Sequence, residues 1–384
     1  MKKFLSLVLA LVMTMSLVTV SAGAKDFSDD GSITYKEAVD VISGIGVVDG
    51  YSGGDFKPTD VLTRGAAAKI ICNLILGPTT ASYLSADTAP FKDVPVTNVF
   101  AGYITYCSQQ GIINGYADGT FRPTATLSGN AFMKMLLGAL GYDSAIEGYT
   151  GANWSINVAK QAISIGLNDG LKGEFNGVKA VNREEACLYA FNTLQATMVE
   201  YSAKTSVSTN GTTVVIAGSE AKDVVNTGKT DSNIDKDGKM QFAEKYFEDL
   251  KLDKTSDDFG RPANKWNVKK EEVGTYANTP DATFTKKVTK ADVYNAIGKT
   301  VYDDLKDGDA TLTTYFDGDG TKVKAADVDS TWANKNDTGK VNSTGNGDLT
   351  EIYVDDVNDT VTVVMINYYM AEVTKVKDGE VTVR

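Results

Sequence analysis

Two arginines stand where helices are expected to begin. Thr63-Arg64 and Asn182-Arg183 each set a capping side chain beside a guanidinium. A helix start carries orphan backbone amides and a partial positive charge, and the planar fork of Arg suits a carboxylate. The pairing predicts an anion contact at each place. Ser128 caps a corresponding helix between them, but Gly129 follows it, so that position brings a cap without a guanidinium. A second constellation runs from Asn233 to Glu244. Asn233, Asp235, Asp237 and Glu244, with Gly238 at the sixth place, fit the ligand spacing of a twelve-residue calcium loop. The competing expectation is a solvated turn that caps the helix after it.

Much chemistry is excluded by composition. The chain has no His, which removes the commonest general base and zinc ligand. Its net charge of -12 argues against nucleic acid, whose affinity comes chiefly from Lys and Arg neutralising phosphates. Cys72, Cys107 and Cys187 all fall in apolar helical patterns, which predicts small buried hydrophobes and gives no support to a disulfide framework. The adjacent acids Asp257-Asp258 and Asp355-Asp356 are expected to be solvated. A carboxylate-only glycosidase is the one enzyme class that the lack of His leaves open, and nothing positive points to it.

The elements that must position the arginines repeat. Gly46-Val47-Val48-Asp49-Gly50-Tyr51 through Phe56-Lys57-Pro58 aligns without gaps on Gly111-Ile112-Ile113-Asn114-Gly115-Tyr116 through Phe121-Arg122-Pro123. A third copy, Gly166 to Phe175, is one residue shorter and lacks the Pro. Apolar residues at three- and four-residue steps precede each first Gly, as with Ala38, Val39 and Ile42 or Ile104 and Cys107, and predict a helix that the Gly ends in the left-handed conformation. Thr63, Ser128 and Asn182 then announce a second helix, and Asn182 with Glu185 has capping-box spacing. Units of this size bury only one stripe of each helix, so the copies must pack on one another, with grooves between them.

These phrases resemble the S-layer homology repeat of bacterial envelope proteins. The resemblance rests on Phe27-Ser28-Asp29 and Phe91-Lys92-Asp93 at unit starts, on the Gly-Tyr-x-x-Gly-x-Phe-x-Pro loops, and on the Leu-Thr-Arg-Gly-Ala-Ala-Ala run at Leu62 to Ala68, which corresponds to the family's Thr-Arg-Ala-Glu helix start. It covers about residues 27–197. It implies a domain that binds an anionic, pyruvylated secondary cell wall polymer attached to peptidoglycan. The residues it marks for glycan contact are Arg64, Arg183, Thr63, Ser128, Asn182, Asp29, Asp93, Gly50 and Gly115, with Trp154 in a slot where the family often has Trp. That slot holds Val99 in copy two and Thr34 in copy one, and copy three lacks the Phe-x-Asp opening. Grooves between neighbouring copies leave room for Arg64 to combine with Asp93, or Arg183 with Asp29, a pairing the sequence does not determine.

The expected architecture is multidomain. Residues 1–24 form a signal peptide: Lys2 and Lys3, then an apolar stretch short for a membrane span, then Ala22-Gly23-Ala24. Copies at 25–80, 88–143 and 144–200 build an all-α, pseudo-threefold repeat domain. Residues 201–384 form a β-rich domain, with strands at 212–216, 311–316, 351–354, 361–366, 372–376 and 380–383, a hairpin turn at 377–379, and one helix near 239–250. The chain is read as the N-terminal part of a longer polypeptide. The function expected is non-catalytic wall anchoring in a surface layer, with self-association into a lattice; the alternatives are an exported enzyme or an adhesin that uses the repeats as an anchor. No cofactor is expected beyond calcium, and no membrane span after processing.

Overall fold

The computed structural model describes residues 18–19, 25–201, 205–209, 212–216, 220–368, 373–377 and 380–383. The signal-peptide expectation and the turn residues 378–379 lie outside them. Two compact units are present. The first holds residues 20–253 and 265–274, the second 254–264 and 275–384.

In the first unit the three copies give helix pairs α1 (Lys36–Gly44) and α2 (Arg64–Leu76), α3 (Ala101–Gln109) and α4 (Gly129–Leu140), and α5 (Trp154–Ser164) and α6 (Arg183–Gln195). Gly46, Gly111 and Gly166 end the first helix of each pair with φ of 77°, 71° and 74°, the left-handed region that costs other residues strain. Thr63, Ser128 and Asn182 each accept from the third amide of the second helix, and Asn182 closes a capping box with Glu185.

The all-α expectation fails at the centre of this unit. Each copy runs extended before its second helix, and an extended backbone buried among neighbours must find hydrogen-bond partners. It finds them in the other copies: Leu62 N donates to Val181 O at 2.8 Å, Val181 N to Leu127 O at 3.0 Å, and Leu127 N to Leu62 O at 3.0 Å. These three bonds close a ring, with antiparallel bridges at Val61–Asn182, Thr63–Thr126 and Ser128–Ala180 beside it. All three side chains are buried. The copies are therefore joined through β-type pairing as well as through helix packing. Further strands follow, with β1 (Val199–Tyr201) and β4 (Ala221–Asp223) paired antiparallel, and β2 (Thr205–Thr209) with β3 (Thr212–Ile216).

Strands β5 (Leu250–Ser256), β6 (Pro262–Val268) and β7 (Glu271–Ala277) are neighbours in one sheet, and the chain passes between the two units along them. The second unit has a five-stranded sheet in the order β10 (Asp319–Val323), β9 (Thr311–Phe316), β12 (Thr360–Ile366), β11 (Leu349–Asp355), β8 (Ala282–Phe284). Only β9 and β12 are parallel. Helix α8 (Lys290–Asp307) contributes Val293, Ile297 and Leu305 to a core with Leu312, Ile352 and Val361. β13 (Val373–Lys377) and β14 (Glu380–Val383) pair antiparallel. The strands expected at 212–216, 311–316, 351–354, 361–366 and 380–383 are thus present, while α8 and β5 to β7 went unforeseen. The helix expected near 239–250 shrinks to α7, Phe242–Tyr246.

Candidate functional site: grooves between the copies

The second-helix starts do not offer free amides. Arg64 N donates to Ala125 O and Gly65 N to Pro123 O; Gly129 N donates to Lys179 O and Asn130 N to Gly177 O; Arg183 N donates to Asp60 O and Glu184 N to Pro58 O. Each helix spends its first two amides on the neighbouring copy and its third on its own cap. The anion contact expected from the amides at Thr63, Ser128 and Asn182 is closed off by this bonding, and those residues hold the copies together.

The guanidiniums reach the same neighbours. Arg64 donates from Nε to Phe121 O at 2.8 Å and from Nη2 to Asn114 O at 3.1 Å. Arg183 repeats the geometry one copy on, to Phe56 O at 2.8 Å and Asp49 O at 2.9 Å. Their Cζ atoms lie 5.0 Å from the Tyr116 ring centre and 4.7 Å from that of Tyr51. Such a bond pattern leaves N–H donors of each fork unspent, since a guanidinium has five. At the junction of copies two and three the Arg position is Gly129, packed against Phe175, Asn176 and Gly177.

Asp29 and Asp93 brace the loops that the guanidiniums touch. Asp29 accepts from Phe56 N and Lys57 N, and Asp93 from Phe121 N and Arg122 N, all at 2.7 Å. Lys57 and Arg122 have φ of 57° and 59°, a strained conformation for residues with a Cβ, and the carboxylates hold it in place. Partial burial pushes these carboxyls up, but the paired amides outweigh it and hold both below the usual Asp range. Phe27 packs at a tilt against Phe56 and Phe91 stacks on Phe121, with ring centres 5.2 and 5.3 Å apart. A Cβ on Gly50 would lie 2.7 Å from the Phe27 ring, and one on Gly115 2.3 Å from the Phe91 ring. Those glycines answer to close packing. Arg64 lies over the loop that Asp93 braces, and Arg183 over the loop of Asp29.

One groove gathers a full set of groups. Arg64 from copy one, Asn114, Tyr116, Ser128 and Lys134 from copy two, and Trp154 from copy three line a cavity of about 470 Å³. Lys134 was not foreseen. Its Nζ donates to Tyr149 O at 2.7 Å and sits 5.7 Å from the Trp154 ring centre. Burial lowers both Arg64 and Lys134 from their ordinary values. Two partly desolvated cations beside a half-buried indole favour an anionic ligand with an apolar ring face. The same rule of assembly gives the Arg183 groove the exposed Val99 instead of Trp. In the Gly129 groove that slot is Thr34; the neighbouring Tyr35 hydroxyl accepts from Lys172 N at 3.1 Å, and Lys179 pairs with Glu185 at 2.9 Å.

The family model for the S-layer homology domain matches residues 26–68 and 90–129. The chain carries S-layer homology repeats. The two matched segments are those whose Phe-x-Asp openings and Gly-Tyr loops build the braced geometry just described. The chain is 27% identical to a surface layer protein of Brevibacillus choshinensis over 38% of its length and 13% of that protein. It is 24% identical to a cell surface protein of Thermoanaerobacter kivui over 62% of its length and 32% of that protein. A cellulosome-anchoring protein of Acetivibrio thermocellus matches at 38% over 21% of the chain and 17% of that protein. The chain therefore spans a third or less of these curated relatives. These matches support an S-layer homology-containing protein of the cell envelope at the wall surface, and no helix among the described residues is long and apolar enough to cross a membrane.

The acidic stretch outside the S-layer homology segments is bonded internally. Asn233 Nδ2 donates to Glu248 O, Asp237 Oδ1 accepts from Lys239 N and Gln241 Nε2, and buried Glu244 accepts from Asn226 Nδ2 and Ile234 N. Asp235 stays exposed, and among the described residues no group of His, Cys, Asp and Glu is placed to hold a metal ion. Asp257 corrects the expectation of solvated acids: it is buried and paired with Arg261 at 2.6 Å. Asp355 turns its carboxylate onto the amides of Val357 and Asn358.

Proposed function

We propose that the chain is a non-catalytic anchor that binds an anionic, pyruvylated secondary cell wall polymer through its inter-copy grooves, with the third copy acting as a third S-layer homology repeat. The observation that carries this is the Arg64, Lys134 and Trp154 groove, to which all three copies contribute. A pyruvate ketal presents a carboxylate on a sugar ring. The free donors of Arg64 would take the carboxylate, and Trp154 would stack on the ring face. The Arg183 groove, without an aromatic slot, is the weaker site, and the Gly129 groove is spent on its own contacts. Anchoring is also what the name of the Acetivibrio relative states, while the Brevibacillus and Thermoanaerobacter relatives are named for the cell surface. The second unit would face outward and self-associate into a lattice.

Of the three tryptophans, Trp154 is half-buried at the groove, Trp266 is fully buried, and Trp332 packs against the core of the second unit. Soluble fragments of a pyruvylated wall polymer are expected to shift the fluorescence of the protein in a saturable way, and Trp154→Phe removes the shift. An unchanged response in Trp154→Phe would count against this groove.

A further inference from the structure

Cys72 of α2 and Cys107 of α3 lie at the junction of copies one and two, both fully buried, with their sulfurs 3.5 Å apart. The copy alignment shows how unusual this is. The slots corresponding to Cys72 and Cys107 hold Leu137 with Ala162 at the second junction and Phe191 with Ile42 at the third. Ordinary apolar pairs fill this place twice, and two thiols fill it once. Each thiol otherwise meets only a helix carbonyl, Cys72 that of Tyr103 and Cys107 that of Ala68. Closing to a bond of about 2.05 Å needs some 1.5 Å of sulfur movement, within reach of side-chain rotation.

We propose that Cys72 and Cys107 are joined as a disulfide when the protein folds at the cell surface, locking copy one to copy two. The oxidant is a small-molecule or protein disulfide. A Cys72 thiolate attacks it and expels one thiol; the Cys107 thiolate then attacks the mixed disulfide and expels the second. Two electrons pass to the oxidant, two protons are released from the cysteines, and two thiols leave. The exchange belongs to folding, before burial, because the contact with Cys107 and the surrounding apolar packing push the Cys72 thiol up and make it a poor nucleophile once enclosed. Burial afterwards shields the bond. Cys187, buried alone in α6, stays a thiol.

The test refolds the full chain from urea in a buffer of reduced and oxidised glutathione and alkylates it after denaturation. The expected product has one alkylated cysteine, Cys187, and a non-reduced tryptic digest joining the peptide 70–92 to the peptide 93–134. Its melting temperature exceeds that of the reduced protein by about 5–10 °C. A Cys187→Ala variant forms the same bond, which excludes scrambling. Three alkylated cysteines after refolding to a cooperative melt, or a bond that involves Cys187, overturns the proposal. Neither result bears on the wall-binding groove, which contains no cysteine.

Discussion

The double variant Arg64→Ala, Arg183→Ala loses binding to purified cell wall by at least about a hundredfold, with Arg64→Ala alone producing most of the loss. A hundredfold corresponds to about 2.8 kcal/mol, within the range for removing one partner of a desolvated charge pair. The asymmetry follows from the groove contents. Arg64 shares its cavity with Lys134 and Trp154, so its loss removes the fork from a site that holds a second cation and a stacking surface. Arg183 faces Tyr51 and Phe56 with Val99 in the aromatic slot. Because each guanidinium also donates to two carbonyls of the next copy, the variants are melted alongside. Arg64→Lys supplies the control: a lysine retains the charge as a point donor but not the fork, so it recovers only part of the affinity. Equal losses from Arg64→Ala and Arg183→Ala would place the two grooves on a par.

Asp29→Ala and Asp93→Ala act on stability. Each carboxylate accepts two backbone amides, one from a residue with positive φ. Hydrogen bonds to a charged group contribute about 1.5–3 kcal/mol. With both side chains partly exposed, each variant is expected to cost about 2–3 kcal/mol, read as a fall in the denaturant midpoint at unchanged slope. The same bonds set a pH dependence. Both carboxyls sit below their ordinary values when folded, so their contribution is complete above the unfolded pKa of about 3.9 and is lost as pH falls through the folded values. Stability of the repeats should hold from neutral pH to about 5 and then decline. Glu244, raised by burial, works in the opposite sense and stabilises on protonation. Asp29→Asn with Asp93→Asn flattens the acid limb; an acid limb as steep as in the unaltered protein would assign it to other groups.

The loops, the left-handed glycines, the caps and the capping box of Asn182 were legible in the amino-acid sequence because each is a local rule read within a few residues. The cyclic ring through Leu62, Val181 and Leu127 was not, since it joins residues far apart whose own patterns are merely apolar. The same distance hid the fate of the helix-start amides. Local rules leave them orphaned, and only the packed copies show that neighbouring carbonyls take them. Lys134 escaped notice because it is one more polar residue of an apolar helix until α5 brings Trp154 beside it. Helix α8 carried a signal that was passed over: Val293, Ile297, Val301 and Leu305 recur at four-residue steps, interrupted at Gly298, where φ is 79°. In the grooves, Arg64, Arg183 and Trp154 face the cavities between copies, while Asp29, Asp93, Gly50 and Gly115 build the loops from behind.

The central claim is that the grooves recognise the wall's secondary polymer and not the peptidoglycan beneath it. Co-sedimentation of the chain from Lys25 onward with walls of a pyruvylated-polymer bacterium, before and after chemical removal of that polymer, tests it most directly. The protein is expected to pellet with intact walls and to stay in solution with stripped ones. Equal pelleting with both would contradict it.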